Sequence, residues 1–189
     1  MTDKKTNMDG LQVLADFLNT YDKRVRFEGD PGRESLNRPE DLADWLLARS
    51  LLGAHEKVDE EELGLAIAMR NLMRRTLYGS REAGGDPGAP DELNELLRRF
   101  SFSIALEEAD AALIPNETGG RAALARLALL LFEARRAGNW HRLRVCSAED
   151  CQWAFADRSR PGTGRWCTMK ACGNRSKNKT YRERGARSH

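Results

Sequence analysis

Apolar residues set the first element of the chain: Leu11, Leu14, Ala15 and Leu18 recur at i, i+3, i+4 and i+7, the spacing that places side chains on one face of a helix. The pattern predicts an amphipathic helix ending near Asn19-Thr20, with Asp16, Asn19 and Thr20 gathering polar groups at its C-terminal end. Arg24 to Phe27 reads as a short extended piece and Gly29-Asp30-Pro31-Gly32 as a turn, before Pro39-Glu40-Asp41 opens a helix carrying Leu42, Trp45, Leu46 and Arg49. Asp59 to Glu62 then puts carboxylates at the positive end of a long helix running towards Tyr78. The chain changes character at Gly79 to Pro90, a breaker-rich loop. Beyond it, Asp91 to Arg99 reads as a short helix. Phe100 to Leu106 and Ala111 to Pro115 read as a hairpin turning around Glu107 to Asp110. Arg121 to Arg136 is the last helix of this part, closed by Gly138 in the left-handed conformation. Gly138 to His141 reads as a junction, so residues 1–140 are taken as one domain and 141–189 as a second.

One polar residue interrupts an apolar stripe. Leu63, Ile67, Arg70, Arg74 and Leu77 lie along one side of the third helix, which puts Arg70 where apolar neighbours would expel an unpaired charge. It therefore needs a partner, and Asp16 is the expected one. A pocket lined by Asp16, Asn19, Thr20 and Arg70 would take a small polar or anionic ligand; a fold-holding ion pair is the competing reading.

The second domain is organised differently. Its four cysteines, all that the chain has, form two C-x4-C pairs, Cys146 with Cys151 and Cys167 with Cys172, separated by fifteen residues. Two matched chelating turns joined by a hairpin suit a tetrahedral ion held by four thiolates, and zinc is preferred over iron because rubredoxin-like knuckles use a tighter C-x2-C spacing. Two disulfides or unrelated buried thiols are the alternatives. The opening MTDKKTNMDG carries no apolar signal segment, which argues for a reducing, cytoplasmic setting and against disulfides. Between the pairs, Gln152 to Ala156 alternates like a short strand and Pro161-Gly162-Thr163-Gly164 supplies a turn. The fold class expected is α+β, a mainly helical N-terminal domain with a small β-hairpin followed by a treble-clef or ribbon-like zinc finger.

After Cys172 the residues favour a basic helix with Asn174 as its N-cap, and Arg175, Asn178, Lys179 and Arg182 share one face. From Asn174 to Arg184 such a helix would span about 16 Å, enough to lie in a major groove about 12 Å wide. Charge sharpens this picture. Residues 141–189 carry twelve Lys and Arg against four Asp and Glu, whereas the preceding residues carry 19 against 25. Even after a zinc–thiolate centre subtracts two charges, the finger keeps the excess expected of a nucleic-acid-binding module. Arg175, Lys177, Asn178, Lys179, Arg182 and Arg184 are the candidate contacts to double-stranded DNA. Arg144, Arg165 and Arg175 stand beside the ligands, and their alternative role is to balance the anionic centre.

Cys172-Gly173-Asn174-Arg175, together with VCSAEDCQWAFADRSR and RWC, resembles the CGNR zinc-finger family, and Asp16-Phe17-Leu18-Asn19-Thr20 resembles the ABATE domain that precedes this finger. The resemblance implies a stress-induced transcription regulator, with the finger on DNA and the N-terminal domain on a ligand. A homodimer is compatible with it. An RNA-binding or protein-interaction adaptor is the rival, but Trp153, Phe155 and Trp166 lie among the ligands, leaving Tyr181 alone to stack on bases. Catalysis is not expected: His55, His141 and His189 are scattered, no nucleophile elbow or phosphate loop is present, and four thiolates leave a metal no open position. The richest apolar stretch, Ala122 to Ala134, is broken by Arg126 and Glu133, too short for a membrane span.

Overall fold

The computed structural model describes residues 4–79, 86–106 and 110–178. Helix α1 (Lys4–Leu18) buries Leu11, Leu14, Ala15 and Leu18 completely, as the periodicity requires. A two-residue ladder, β1 (Tyr21–Asp22) with β2 (Arg33–Glu34), follows, and then α2 (Pro39–Leu47). The α2 start is fixed by Asp41, whose carboxylate accepts from the backbone N–H groups of Asn37 and Arg38, both at 3.0 Å. Helix α3 (Glu60–Gly79) begins with a reciprocal cap, Asp59 N–H to the Glu62 carboxylate and Glu62 N–H to the Asp59 carboxylate, each 2.9 Å.

Helix α4 (Ala89–Leu97) packs back on α3, and the hairpin β3 (Phe102–Leu106) with β4 (Ala111–Pro115) leads into α5 (Gly119–Arg136). Gly138 ends α5 with φ 68°, while Asn139 N–H reaches the Ala134 carbonyl at 2.9 Å. No helix among the described residues is long and apolar enough to cross a membrane.

A short 3-10 turn (Trp140–Arg142) carries the chain into β5 (Leu143–Val145), which pairs antiparallel with β6 (Ala154–Ala156). This small hairpin lies against α1, and Leu143, Val145 and Ala154 belong to the same buried cluster as Phe17, Leu18, Met69 and Leu124. The main core therefore runs across the junction at 138–141.

Two local expectations are corrected, and one strand had no signal in the sequence. Arg24 to Phe27 joins no strand ladder, because its backbone N–H groups go elsewhere: Arg24 to the Asp22 carboxylate, Val25 to the Asp150 carbonyl and Arg26 to the Asp30 carboxylate. Strand β5 escaped notice because Leu-Arg-Val is too short to show a period. The helix after the second cysteine pair starts earlier than expected: Thr168, not Asn174, is its N-cap, with the Thr168 hydroxyl accepting from Ala171 N–H at 3.2 Å. A π-helical turn over Met169–Gly173 follows and the helical path continues through 174–178, so Asn174 lies inside it.

Candidate metal centre and its anchor on the N-terminal helix

Strand β5 delivers Cys146 to the site, where its N–H donates to the Trp153 carbonyl at 2.8 Å. The knuckle turns back through Cys151 N–H to Ala148 O at 2.9 Å, helped by Gln152 in the left-handed region at φ 50°. The second pair arrives on a shaped loop. Buried Asp157 accepts from the N–H groups of Ser159 at 2.9 Å and Gly164 at 2.6 Å, Arg144 donates to the Gly162 carbonyl at 2.8 Å, and Ser147 N–H ties the first knuckle to Arg165 O at 2.8 Å. Cys172 sits within the π-helical turn, so the helix is rooted in the metal site itself.

All four Sγ atoms lie within 4.8 Å of one another, with Cys151 to Cys167 at 3.7 Å and Cys167 to Cys172 at 3.6 Å. A tetrahedron of 2.3 Å Zn–S bonds has S···S edges of about 3.8 Å, so the cage has the size zinc requires. The thiols are all free, and no disulfide joins them. Burial pushes the Cys151 and Cys167 thiols above their ordinary pKa. Cys146 is raised by burial as well, yet backbone N–H donors from Ala148 and Cys167 carry it below the ordinary thiol value. Protonated sulfurs this close have no shared partner, whereas a divalent cation at the centre makes all four thiolates favourable. The site takes one zinc ion. With four protein ligands the tetrahedral shell is complete, and the metal's work is to hold two knuckles together.

The finger is bolted to α1 by a polar device in which Asn19 is the central part. Its Nδ2 donates to the Ala154 carbonyl and its Oδ1 accepts from Ala154 N–H, both at 2.8 Å, so a side-chain amide takes the place of a neighbouring strand on β6. Buried Arg74 adds to the joint by donating to the Leu18 carbonyl at 2.8 Å, to Tyr21 O at 3.1 Å and to Gln152 O at 3.3 Å. Val25 N–H donates to Asp150 O at 2.9 Å, and the Arg24 guanidinium lies 4.3 Å from the centre of the Trp153 ring. None of these bonds links residues near one another in the sequence.

Arg70 is 1% exposed and does have a carboxylate partner. The partner is Glu34, not Asp16: Arg70 donates in bidentate fashion to Glu34 at 2.7 and 2.6 Å and to Thr20 Oγ1 at 3.0 Å. The β1–β2 ladder explains the choice, since it pairs Tyr21 with Glu34 beside the end of α1 and places the Glu34 carboxylate over the guanidinium. Burial raises the Glu34 carboxyl, but Arg70 and the N–H groups of Leu36 and Ser35 outweigh it and leave the pKa below the ordinary value. Asp16 instead accepts from Gln12 at 2.9 Å and pairs with Arg49 at 3.5 Å. Asp16, Asn19 and Thr20 do meet, around a shallow depression of about 290 Å3 that also contains Trp45, Arg49 and the finger's Trp153. Arg70 is not part of its lining. Arg49 stacks 4.0 Å from the Trp45 ring centre, and its Nε is buried without a hydrogen-bond partner.

Among the candidate DNA contacts, Lys177 and Asn178 are exposed, whereas Arg175 reaches Asp150 at 3.0 Å and Cys172 Sγ at 3.5 Å and so also balances the thiolate charge. Lys179, Arg182 and Arg184 lie outside the described residues. Glu34, Asp157 and Lys170 were not legible from the sequence, since isolated charged residues in loops and helix ends give no periodic signal, and Arg49 was legible only as a position on the α2 stripe.

Two family comparisons follow the same order along the chain. Residues 142–185 match the CGNR zinc finger, and residues 11–138 match ABATE, described as "Putative stress-induced transcription regulator". No curated protein matches the chain. Since the ABATE match spans more than half of the 189 residues and is followed at once by the finger, the chain belongs to the ABATE family and ends in a CGNR zinc finger.

Proposed function

We propose that the protein is a zinc-dependent DNA-binding transcription regulator whose N-terminal domain senses a small polar or anionic ligand. The observation that carries the DNA half is the rooting of the terminal helix in the metal site. Cys172 is part of the helical turn, and Lys170, Asn174, Arg175, Lys177 and Asn178 are exposed on it. Metal binding thereby orients a basic, hydrogen-bonding helix without that helix needing a core of its own. Trp153, Phe155 and Trp166 pack against the cysteine cluster, which favours a duplex over single-stranded RNA. No catalytic step is assigned, because four thiolates complete the coordination shell.

The sensing half rests on the depression between Asp16, Arg49, Trp45 and Trp153. It opens at the joint between α1 and the finger, and a carboxylate or similar group there would compete with Asp16 for the Arg49 guanidinium. The experiment is duplex binding by the full chain with and without zinc. Zinc-loaded protein should bind a mixed-sequence duplex with an affinity that falls steeply with salt, and metal-free protein should not. Equal binding by both forms would remove the finger from the account.

A further inference from the structure

The loop that leaves α1 runs alongside the zinc finger and shares a surface with it. Residues 23–32 are held at both ends, by the β1–β2 ladder and by Val25 N–H on the Asp150 carbonyl of the first knuckle. Gly32, at φ 84°, brings the loop so close to the Asp22 carbonyl that a Cβ there would stand 2.6 Å from the oxygen. The loop is thus fixed in place relative to the cysteine knuckles.

Between loop and finger runs a groove of about 940 Å3 lined by Arg24, Arg26 and Arg33 from one side and Arg158 and Arg175 from the other, against Asp22 and Asp150. Arg24 and Arg175 lean on the thiolate centre. The other three line the groove. Arg24 and Arg26 share two carboxylates, Asp22 and Asp30, while Arg158 meets Asp9 only at 3.5 Å on open surface, a pair that solvent makes cheap to exchange. Among the described residues the Arg33 guanidinium has no hydrogen-bond or ion-pair partner. Phe27, on the same loop, is 64% exposed, and Val25 is 46% exposed.

We propose that this loop is a second nucleic-acid contact: Arg26, Arg33 and Arg158 take backbone phosphates of the duplex that the terminal helix engages, and Phe27 packs on its sugar edge. The proposal rests on the DNA-binding reading and extends it to a domain otherwise assigned only to sensing. A polyanion fits better than a single small anion because Arg33 on the loop and Arg158 on the finger flank an open groove from opposite sides. The groove is also continuous with the helix, since Arg175 lines it and the neighbouring depression that holds Arg165 and Ser176.

The test uses the full zinc-loaded chain and a fluorescent mixed-sequence duplex, titrated at several salt concentrations. Arg33→Ala should weaken binding about eight-fold near 0.1 M salt and flatten the log-log salt slope by about 0.9, the signature of one lost phosphate. Phe27→Ala should weaken binding with the slope unchanged. Lys177→Ala on the terminal helix serves as the reference variant. If Arg33→Ala and Arg33→Glu bind like the parent while Lys177→Ala weakens binding, the contact is confined to the finger and the proposal is overturned, with the DNA-binding reading intact. If inorganic pyrophosphate binds the parent and not Arg33→Ala, while duplex affinity ignores Arg33, the groove is a small-anion site and the proposal is likewise overturned. A parent chain that binds no duplex at all removes the DNA-binding reading, and this inference with it.

Discussion

Asn19 and Ala154, 135 positions apart, exchange two 2.8 Å hydrogen bonds in which the asparagine amide completes the edge of the finger's strand. The residue sits in the Asp-Phe-Leu-Asn-Thr stretch, where the sequence places a ligand-binding candidate. Its amide also holds the finger to α1, with one N–H donor and the carbonyl oxygen engaged on Ala154. Asn19→Ala would strand a buried N–H and a buried carbonyl, a cost of about 2–4 kcal/mol and roughly a 5–12 °C drop in Tm for a chain of this size. Thermal unfolding checks this, and zinc release to a chelator should quicken in the same variant. A Tm within about 1 °C of the parent would mean that the bond is not made in solution.

The Arg70–Glu34 pair predicts a pH signature. Glu34 has its pKa lowered in the folded state, so its stabilising effect is fully present above the unfolded carboxyl value near 4.5 and is lost as pH falls through that range. Glu34→Gln leaves a buried guanidinium without its counter-charge and should cost about 3 kcal/mol. The difference from the parent should stay flat between pH 8 and about 5, where zinc is still bound, and shrink only below. Denaturant titrations at pH 7.5 and 5.5 decide it: a difference that already shrinks between these two would assign the stabilisation to some other group.

Removal of zinc should reach beyond the finger. Leu143, Val145 and Ala154 share the core of α1 and α5, so losing the knuckles frees the hairpin that closes one side of that core. Amide hydrogen exchange in α1 should accelerate by at least about ten-fold on chelation, equivalent to about 1.4 kcal/mol of local stability, while α4 on the far side of α3 changes less. Unchanged exchange in α1 would show that the two regions fold independently.

Ligand sensing is tested at Arg49. A small carboxylate that raises the Tm of the parent should fail to do so for Arg49→Ala, because the guanidinium and its Trp45 stack go together. Asp16→Asn, which removes the competing carboxylate, should strengthen the same response. Identical thermal shifts in all three proteins would place the ligand elsewhere.

What could be read ahead of the structure was local. The cysteine pairs are set by spacings of a few residues, and the α1 stripe by a helical period, so both are legible in sequence. Arg70 was legible as a buried charge in need of a partner. Its partner was not, because Glu34 lies on a two-residue ladder whose register depends on the turn between Tyr21 and Arg33. The bond from Asn19 to Ala154 was hidden for the same reason: a polar side chain at a helix end does not announce the strand it completes. The earlier helix start at Thr168 was hidden by the metal, since a π-helical turn that threads a ligand cysteine has no pattern in residue propensities.

The central claim is that a zinc-rooted helix reads DNA, and selection of bound duplexes from a random pool by the full zinc-loaded chain tests it most directly. The account predicts enrichment of one motif, with a log-log salt slope steeper than about −4, and loss of enrichment in Arg182→Ala at a cost of about 1–3 kcal/mol on the selected site alone. No enrichment, together with no salt-dependent binding below about 100 µM, the weak end of ordinary non-specific affinity, would contradict it.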